Sequence, residues 1–210
     1  IAPAAADQAR AQGYAVVDAV NVLGTHLSEL IKKNAHELFT RQDAKAFCDR
    51  AAQDNPKVVE DLVPKLLSLA VIQRVLQNML RERISIRDGV SILEALSEAA
   101  ATTKNPVLLT EYARQAIRRS IVKPLLNNRA ELPAYLVDPG VEGAIETSVE
   151  HGDQNSILTL APQAIRDILN KIGRKWTSPQ ATGTIVCSSG VRYFLRQMVE
   201  ASWPNLNVVS

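Results

Sequence analysis

Cysteine is scarce in this sequence: two in 210 residues, Cys48 and Cys187, with no metal-ligand spacing between them. That excludes a disulfide framework and a zinc module. Both read as unpaired, buried, small apolar groups of a reducing compartment. Histidine is as rare, and His26, His36 and His151 never fall at the i, i+4 spacing of a helical metal pair. Aromatic residues are 4% of the chain, too few to interleave with basic residues as a base-stacking platform. Neither sign of charge prevails: 24 Lys and Arg against 22 Asp and Glu leave a net +2. Nothing there calls for a nucleic-acid or acidic-membrane partner. No apolar run approaches the roughly 18 residues of a membrane-spanning helix, and no secretory leader opens the chain. A G-x-S-x-G elbow and a GxxxxGK[ST] phosphate loop are both missing.

What is present is a globular balance, 46% hydrophobic and 22% charged, with length enough for one large domain or two small ones. The Ala-rich opening reads as helix stopped by Gly13. "YAVVDAV", Tyr14–Val20, is β-branched and reads as a short strand. Thr25 then reads as an N-cap for an amphipathic helix over 26–39 that carries Leu27, Leu30, Ile31, Leu38 and Phe39. From 40 to 126 the periodicity is helical throughout. Ala44, Phe47, Cys48 and Ala51 share a face, and Asn55-Pro56 breaks that helix and starts another. Ser68 caps a helix with Ile72, Val75, Leu76, Met79 and Leu80 on one side. Asn105-Pro106 opens a long helix to 126, expected to bury Leu109, Tyr112, Ala116, Ile117 and Ile121.

The pattern changes at "NNRAELP". Beyond it, Ala134–Asp138, "SILTL", "TIVCS" and "NLNVV" read as strands. They alternate with helices from Pro139 to about His151, over "PQAIRDILNKI" and over "GVRYFLRQMVEA". That is a small α/β layer. The expected fold is therefore mixed α and α/β: a short α/β remnant over 1–39, an all-helical unit over 40–126 and a small α/β unit over 127–210. The chain opens on Ile and closes in an apolar stretch, so both ends are expected to belong to a longer protein.

Three places invite a functional reading. "LRERISIRDGVSILEAL", Leu80–Leu96, is charged and sits between two helical patterns. Arg81 and Arg83 complement the C-terminal dipole of the first helix. Ser85 and Asp88 have capping-box spacing for a second helix from Ile86. A DNA-reading helix-turn-helix needs base-reading side chains at Ile86, Arg87, Asp88 and Gly89, and an acid and a glycine there argue against one. The stretch reads as a capped joint. Helix 106–126 carries Arg114 and Arg118 one turn apart, with Arg119 and Lys123, which reads as a solvated or protein-contact face. "VCSSGVR" places Cys187 at a strand end before Arg192. A phosphatase loop needs five residues between Cys and Arg, and only four stand here, so Ser188 or Ser189 reads as an ordinary helix cap. No catalytic residue is assigned.

"GYAVVDAVNVLGTHLSELIKKNAHELFTRQD" and "VVEDLVPKLLSLAVIQRVLQNMLRERISIRDGVSILEAL" are similar to long sequence blocks of the bacterial FlhA/type III secretion export-gate family. "NPVLLTEYARQAIRRSIV" and the closing "PNLNVVS" continue the resemblance over nearly the whole chain, and "LTEYARQAIRRSI" leans toward the flagellar over the virulence branch. Ala19 stands where the family commonly has Pro, and Met79 where it has Leu. The resemblance implies the distal part of the cytosolic region of an inner-membrane protein, which joins the membrane only through N-terminal helices. It implies a ring-forming scaffold without enzymatic activity or cofactor. It receives export substrates with their chaperones and meets other flagellar export-apparatus proteins, but not nucleic acid. Asp18 and Thr25 would lie on the rim of the chaperone cleft. Arg81, Arg83, Arg87, Arg114 and Arg118 would lie at subunit contacts.

Overall fold

The computed structural model describes residues 5–210. Helix α1 (Ala6–Ala11) ends at Gly13, which takes a left-handed φ of +84° that only glycine adopts without strain. Residues 14–18 form no strand; α2 runs from Ala19 to Lys33. Its N-cap is Asp18, whose Oδ1 accepts from the Asn21 backbone N–H at 2.8 Å. Thr25 therefore sits inside the helix and caps nothing. The strand expected at 14–20 fails because a strand needs a hydrogen-bonded neighbour, and the Asp18 cap commits the following residues to helix. The expected helix over 26–39 breaks at Asn34, before the short α3 (Ala35–Leu38).

An all-helical cluster follows. α4 (Arg41–Asp54) starts with a reciprocal capping box: the Thr40 N–H donates to Asp43 Oδ2 at 2.8 Å, and the Asp43 N–H to Thr40 Oγ1 at 3.3 Å. α5 (Pro56–Leu62) has Pro at its first position, as the Asn-Pro pair implies. α6 (Leu69–Arg81), capped by Ser68, buries Ile72, Val75, Leu76 and Met79 completely against Ile92, Leu93 and Leu96 of α7 (Gly89–Ala99) and Leu109 of α8 (Pro106–Ala116). Each such side chain stabilises the cluster by roughly 1.5–3 kcal/mol. α6 ends in a Schellman turn: the Ile84 N–H donates to Met79 O, the Arg83 N–H to Leu80 O, and Arg83 has φ +58°. The second helix starts three residues later than Ser85-x-x-Asp88 spacing suggests. Asp88 is its cap, accepting from the Ser91 N–H at 3.2 Å, and Ser85 Oγ only accepts from Arg87 N–H. Gly89 opens α7 because Phe47 Cζ stands 3.2 Å from where a Cβ would be.

The expected long helix to 126 is also divided. α8 ends at Ala116, Ile117 turns the chain, and α9 (Arg118–Val122) leads into a 3₁₀ turn, Lys123–Leu125. α8 buries Leu109, Thr110, Ala113 and Arg114, while Tyr112 and Ala116 face solvent.

The α/β part holds a three-stranded parallel sheet in the order β1 (Tyr135–Leu136), β4 (Gly183–Val186), β5 (Leu206–Val209). Helices α10 (Pro139–Glu146), α11 (Pro162–Gly173) and α12 (Ser189–Glu200) connect or cover it. The first of these was expected to reach His151. It stops at Glu146, and β2 (Val149–His151) pairs antiparallel with β3 (Ser156–Leu158) as a separate hairpin. "SILTL" thus belongs to the hairpin and not to the parallel sheet. A second core gathers Ile145, Ile168, Ile185, Val191, Phe194, Leu195, Val199, Leu206 and Val208. Cys48 lies in the first core and Cys187 in the second, both as free thiols. No helix of the described residues is long and apolar enough to cross a membrane.

Candidate functional site

Asp18 and Thr25 are seven residues apart, nearly two turns, so they lie on one side of α2. Both are exposed. The bond from the Asn21 backbone N–H holds the Asp18 carboxyl below its ordinary value. Val20, Leu23, Leu27 and Ile31 form an apolar stripe along the same helix, 78%, 67%, 58% and 49% exposed. Nothing among the described residues covers this stripe.

The five arginines divide. Arg81 is on the surface and forks onto Glu200 of α12, Nε to Oε1 at 3.1 Å and Nη2 to Oε2 at 3.0 Å. Arg83, Arg87 and Arg118 are exposed, and Arg118 donates to the Gln115 carbonyl at 3.1 Å. Arg114 is not on an exposed face at all. It is 6% exposed, and its Nη1 donates to Glu82 Oε2 at 2.9 Å. The helical phase of α8 puts position 114 beside the buried Ala113 and Ile117, so its charge is satisfied inside the chain.

Arg114 belongs to a buried ionic cluster that joins the two cores. At its centre is Arg192, 0% exposed. Its Nη1 and Nη2 donate to Glu82 at 2.7 and 2.9 Å, and its Nε and Nη2 donate to Glu111 at 2.7 and 2.6 Å. Both carboxylates are thus held by one planar fork, the geometry for which arginine is suited. One turn along α12, Arg196 has no carboxylate within ion-pair reach among the described residues. It donates instead to the carbonyls of Leu206 at 2.6 Å and Pro204 at 3.2 Å. Burial pulls all three guanidinium groups down. In Arg192 the Glu111 hydrogen bond and the charges of Glu82 and Glu111 reverse this, leaving it above its ordinary value. In Arg114 and Arg196 burial prevails. Sequence reading missed this cluster. Its signal was two arginines, 192 and 196, in phase with the apolar Val191, Leu195 and Val199 of an amphipathic helix.

The Cys187 loop has no catalytic geometry. Burial pushes the thiol up to about 12, so no thiolate exists at neutral pH. Arg192 points away into the carboxylates. The α12 N-terminus is occupied by Glu142, whose Oε1 accepts from the Ser188 N–H at 2.8 Å; the Ser188 hydroxyl makes no cap bond. His151 Nδ1 lies 2.8 Å from Ser156 Oγ in the hairpin. No group of three or more metal-ligating side chains occurs among the described residues. The α6–α7 joint has no DNA-reading helix start: Gly89 is packed on Phe47 and Asp88 is spent as a cap.

The fold over nearly its whole length is shared with known proteins. The FHIPEP family model matches residues 1–210, the whole sequence. The chain belongs to the FHIPEP family. Among curated relatives of this FHIPEP chain, the flagellar biosynthesis protein FlhA of Bacillus subtilis is 35% identical over 213 residues, covering 100% of the chain and 32% of that protein. FlhA of Escherichia coli K12 is 34% identical over 207 residues, covering 97% of the chain and 29% of that protein. The FHIPEP chain thus spans about a third of the length of these relatives. Among solved structures, Chlamydia pneumoniae CdsV has a TM-score of 0.85 at 27% identity, over 100% of this chain and 61% of that one. Nonameric SctV-C of enteropathogenic E. coli has a TM-score of 0.82 at 26% identity, over 99% and 64%.

Proposed function

We propose that this chain is the distal cytosolic part of a flagellar type III protein export gate. It acts as a non-enzymatic scaffold that self-associates into a ring and receives export substrates with their chaperones. The family match over residues 1–210 carries this reading. The curated relatives at 35% and 34% identity are both flagellar FlhA proteins, which supports the flagellar branch. In the full protein the chain lies on the cytoplasmic face of the inner membrane, with other export-apparatus proteins as neighbours. Its three units are 1–39, 40–126 and 127–210.

Asp18 and Thr25, with the apolar stripe of α2, contribute to the rim where chaperone complexes dock. Arg81, Arg83, Arg87 and Arg118 contribute to subunit contacts; Arg114 is removed from that set by its burial. Exposed arginine pairs contribute about 0–1 kcal/mol each, so contact in a ring comes from their sum.

The test is a strain in which the full-length protein carries Arg87→Glu or Arg118→Glu. Ring assembly, measured by cross-linking, and flagellar secretion should both fall, while the 210-residue chain keeps its circular dichroism. Intact secretion in both variants would remove the interface assignment. A strain lacking the protein that still exports filament subunits would remove the function itself.

A further inference from the structure

The two edges of the parallel sheet are finished differently. At the β5 edge the outward carbonyls are taken by guanidinium groups: Leu206 O by Arg196 at 2.6 Å, and Val208 O by Arg114 at 3.3 Å and Arg192 at 3.4 Å. An edge so capped accepts no further strand. At the other edge, the Val137 N–H donates to Val186 O at 3.0 Å. Peptide groups alternate in direction along a strand, so Tyr135 and Val137 face β4, and Leu136 turns its N–H and C=O outward. Its side chain is 82% exposed, in a protein whose other edge is closed.

Beside this open edge runs an apolar groove of about 270 Å³, walled by Leu136, Val141, Ile168, Ile172 and Trp176. Lys171 and Lys175 also line it. Among the described residues neither has a carboxylate within ion-pair distance, and Lys175 Nζ instead lies 4.7 Å from the centre of the Tyr135 ring. The one acid of the lining, Asp138, is committed to capping α10, where it accepts from the Gly140 and Val141 N–H groups. The surface thus offers an unpaired strand edge, an apolar slot and two free positive charges.

We propose that the β1 edge and this groove dock an extended segment of a partner protein, in which aliphatic residues and carboxylates share one face, at every second position. The segment's backbone pairs with the outward peptide groups of Leu136 as an added strand. On the face turned to the groove, its aliphatic side chains enter the slot, and carboxylates two residues along that same face meet Lys171 and Lys175. A helix laid in the groove leaves the Leu136 peptide groups unused. A second copy pairing β1 against β1 brings the lysine-rimmed grooves together, and like charges oppose it. The proposal goes beyond the scaffold reading and does not rest on it.

The probe is a fluorescein-labelled octapeptide with Val and Glu taking turns at every second position and Thr between them, titrated into the 210-residue chain and followed by anisotropy. Saturable binding is expected. The pair Lys171→Glu and Lys175→Glu should weaken it at least tenfold and raise the affinity of a Val/Lys octapeptide. Hydrogen exchange of the Leu136 amide should slow on binding. Leu136→Pro removes that outward N–H without touching the β1–β4 ladder, and it should abolish binding. Should that variant fail to fold, the exposed lysine reversals and the Leu136 exchange rate carry the test. Three results overturn the proposal. The first is absence of saturable binding. The second is binding unchanged by the lysine reversals. The third is protection of Leu136 that grows with protein concentration without peptide, which means a second copy.

Discussion

Replacing Arg192 by Met tests what holds the helical and α/β parts against each other. Three guanidinium groups (114, 192, 196) and two carboxylates (82, 111) leave the buried cluster with one net positive charge. Removing Arg192 balances the formal charge, yet it leaves both carboxylates short of donors. Glu82 keeps the Arg114 contact at 2.9 Å; the nearest cation to Glu111 is then Arg114 Nε at 3.9 Å, beyond hydrogen-bond reach. A buried carboxylate stripped of its partner costs about 3–5 kcal/mol, a large share of the roughly 5–15 kcal/mol that holds a domain folded. Lys in place of Arg192 keeps the charge but supplies no fork, and should lose about 1.5–3 kcal/mol. The quadruple variant Arg114→Met, Arg192→Met, Glu82→Gln, Glu111→Leu removes both carboxylates with the two guanidinium groups that pair with them, and leaves Arg196 on its carbonyl partners. It should recover most of the loss, because paired burial of ions is near break-even against apolar replacement. The assay is urea unfolding with two probes. Trp176 and Trp203, both packed on the second core, report the α/β part by fluorescence; far-UV circular dichroism reports mainly the helices. The two transitions should separate in Arg192→Met. A loss below about 1 kcal/mol, or a quadruple variant as unstable as the single one, would refute the account.

Other outcomes follow from single contacts. Asn105 is fully buried and latches the hairpin, its Nδ2 lying 2.7 Å from both Gly152 O and Asn155 O, while its Oδ1 caps α8 through the Val107 N–H. Asn105→Asp keeps the cap but sets a carboxylate against carbonyls, and should cost about 1–3 kcal/mol in urea denaturation; a neutral result would sink the latch. Proline at Val90 falls in the first turn of α7, so it should cost well under the roughly 3 kcal/mol of Glu94→Pro in the helix interior. Equal losses in a thermal melt would mean that the helix starts earlier. Burial raises Cys48 to about 11 and Cys187 to about 12 from an ordinary 9.0. Raised folded-state values mean that stability from both thiols is complete below about pH 9 and is lost as pH climbs through 11 to 12. Disulfide reagent at pH 7.5 should label neither thiol in the native chain and both in urea; fast native labelling would contradict the burial.

Much of this protein was legible one turn at a time. Ser68, Asn105-Pro106 and Asn55-Pro56 mark helix starts because a cap bonds to an N–H two or three residues ahead, and Pro is suited to a first turn wherever it occurs. Ile72, Val75, Leu76 and Met79 announced a buried face by spacing alone, and the four sequence blocks were specific enough to indicate the family. Local signals also competed, and there the sequence by itself could not choose. Thr25 read as the cap, where Asp18 of equally suitable type takes that place seven residues earlier, and "YAVVD" has strand propensity but no neighbouring strand to bond among the described residues. Tertiary structure alone decided the fate of the charges. Arg114 and Arg118 look alike on a helical wheel, yet one is buried and the other exposed. The difference is Glu82, 32 residues away, and Arg192, which reaches Glu82 across 110 residues and Glu111 across 81. A buried charge is stable only where its counter-charges arrive with it, and separations of that length leave no periodicity to read.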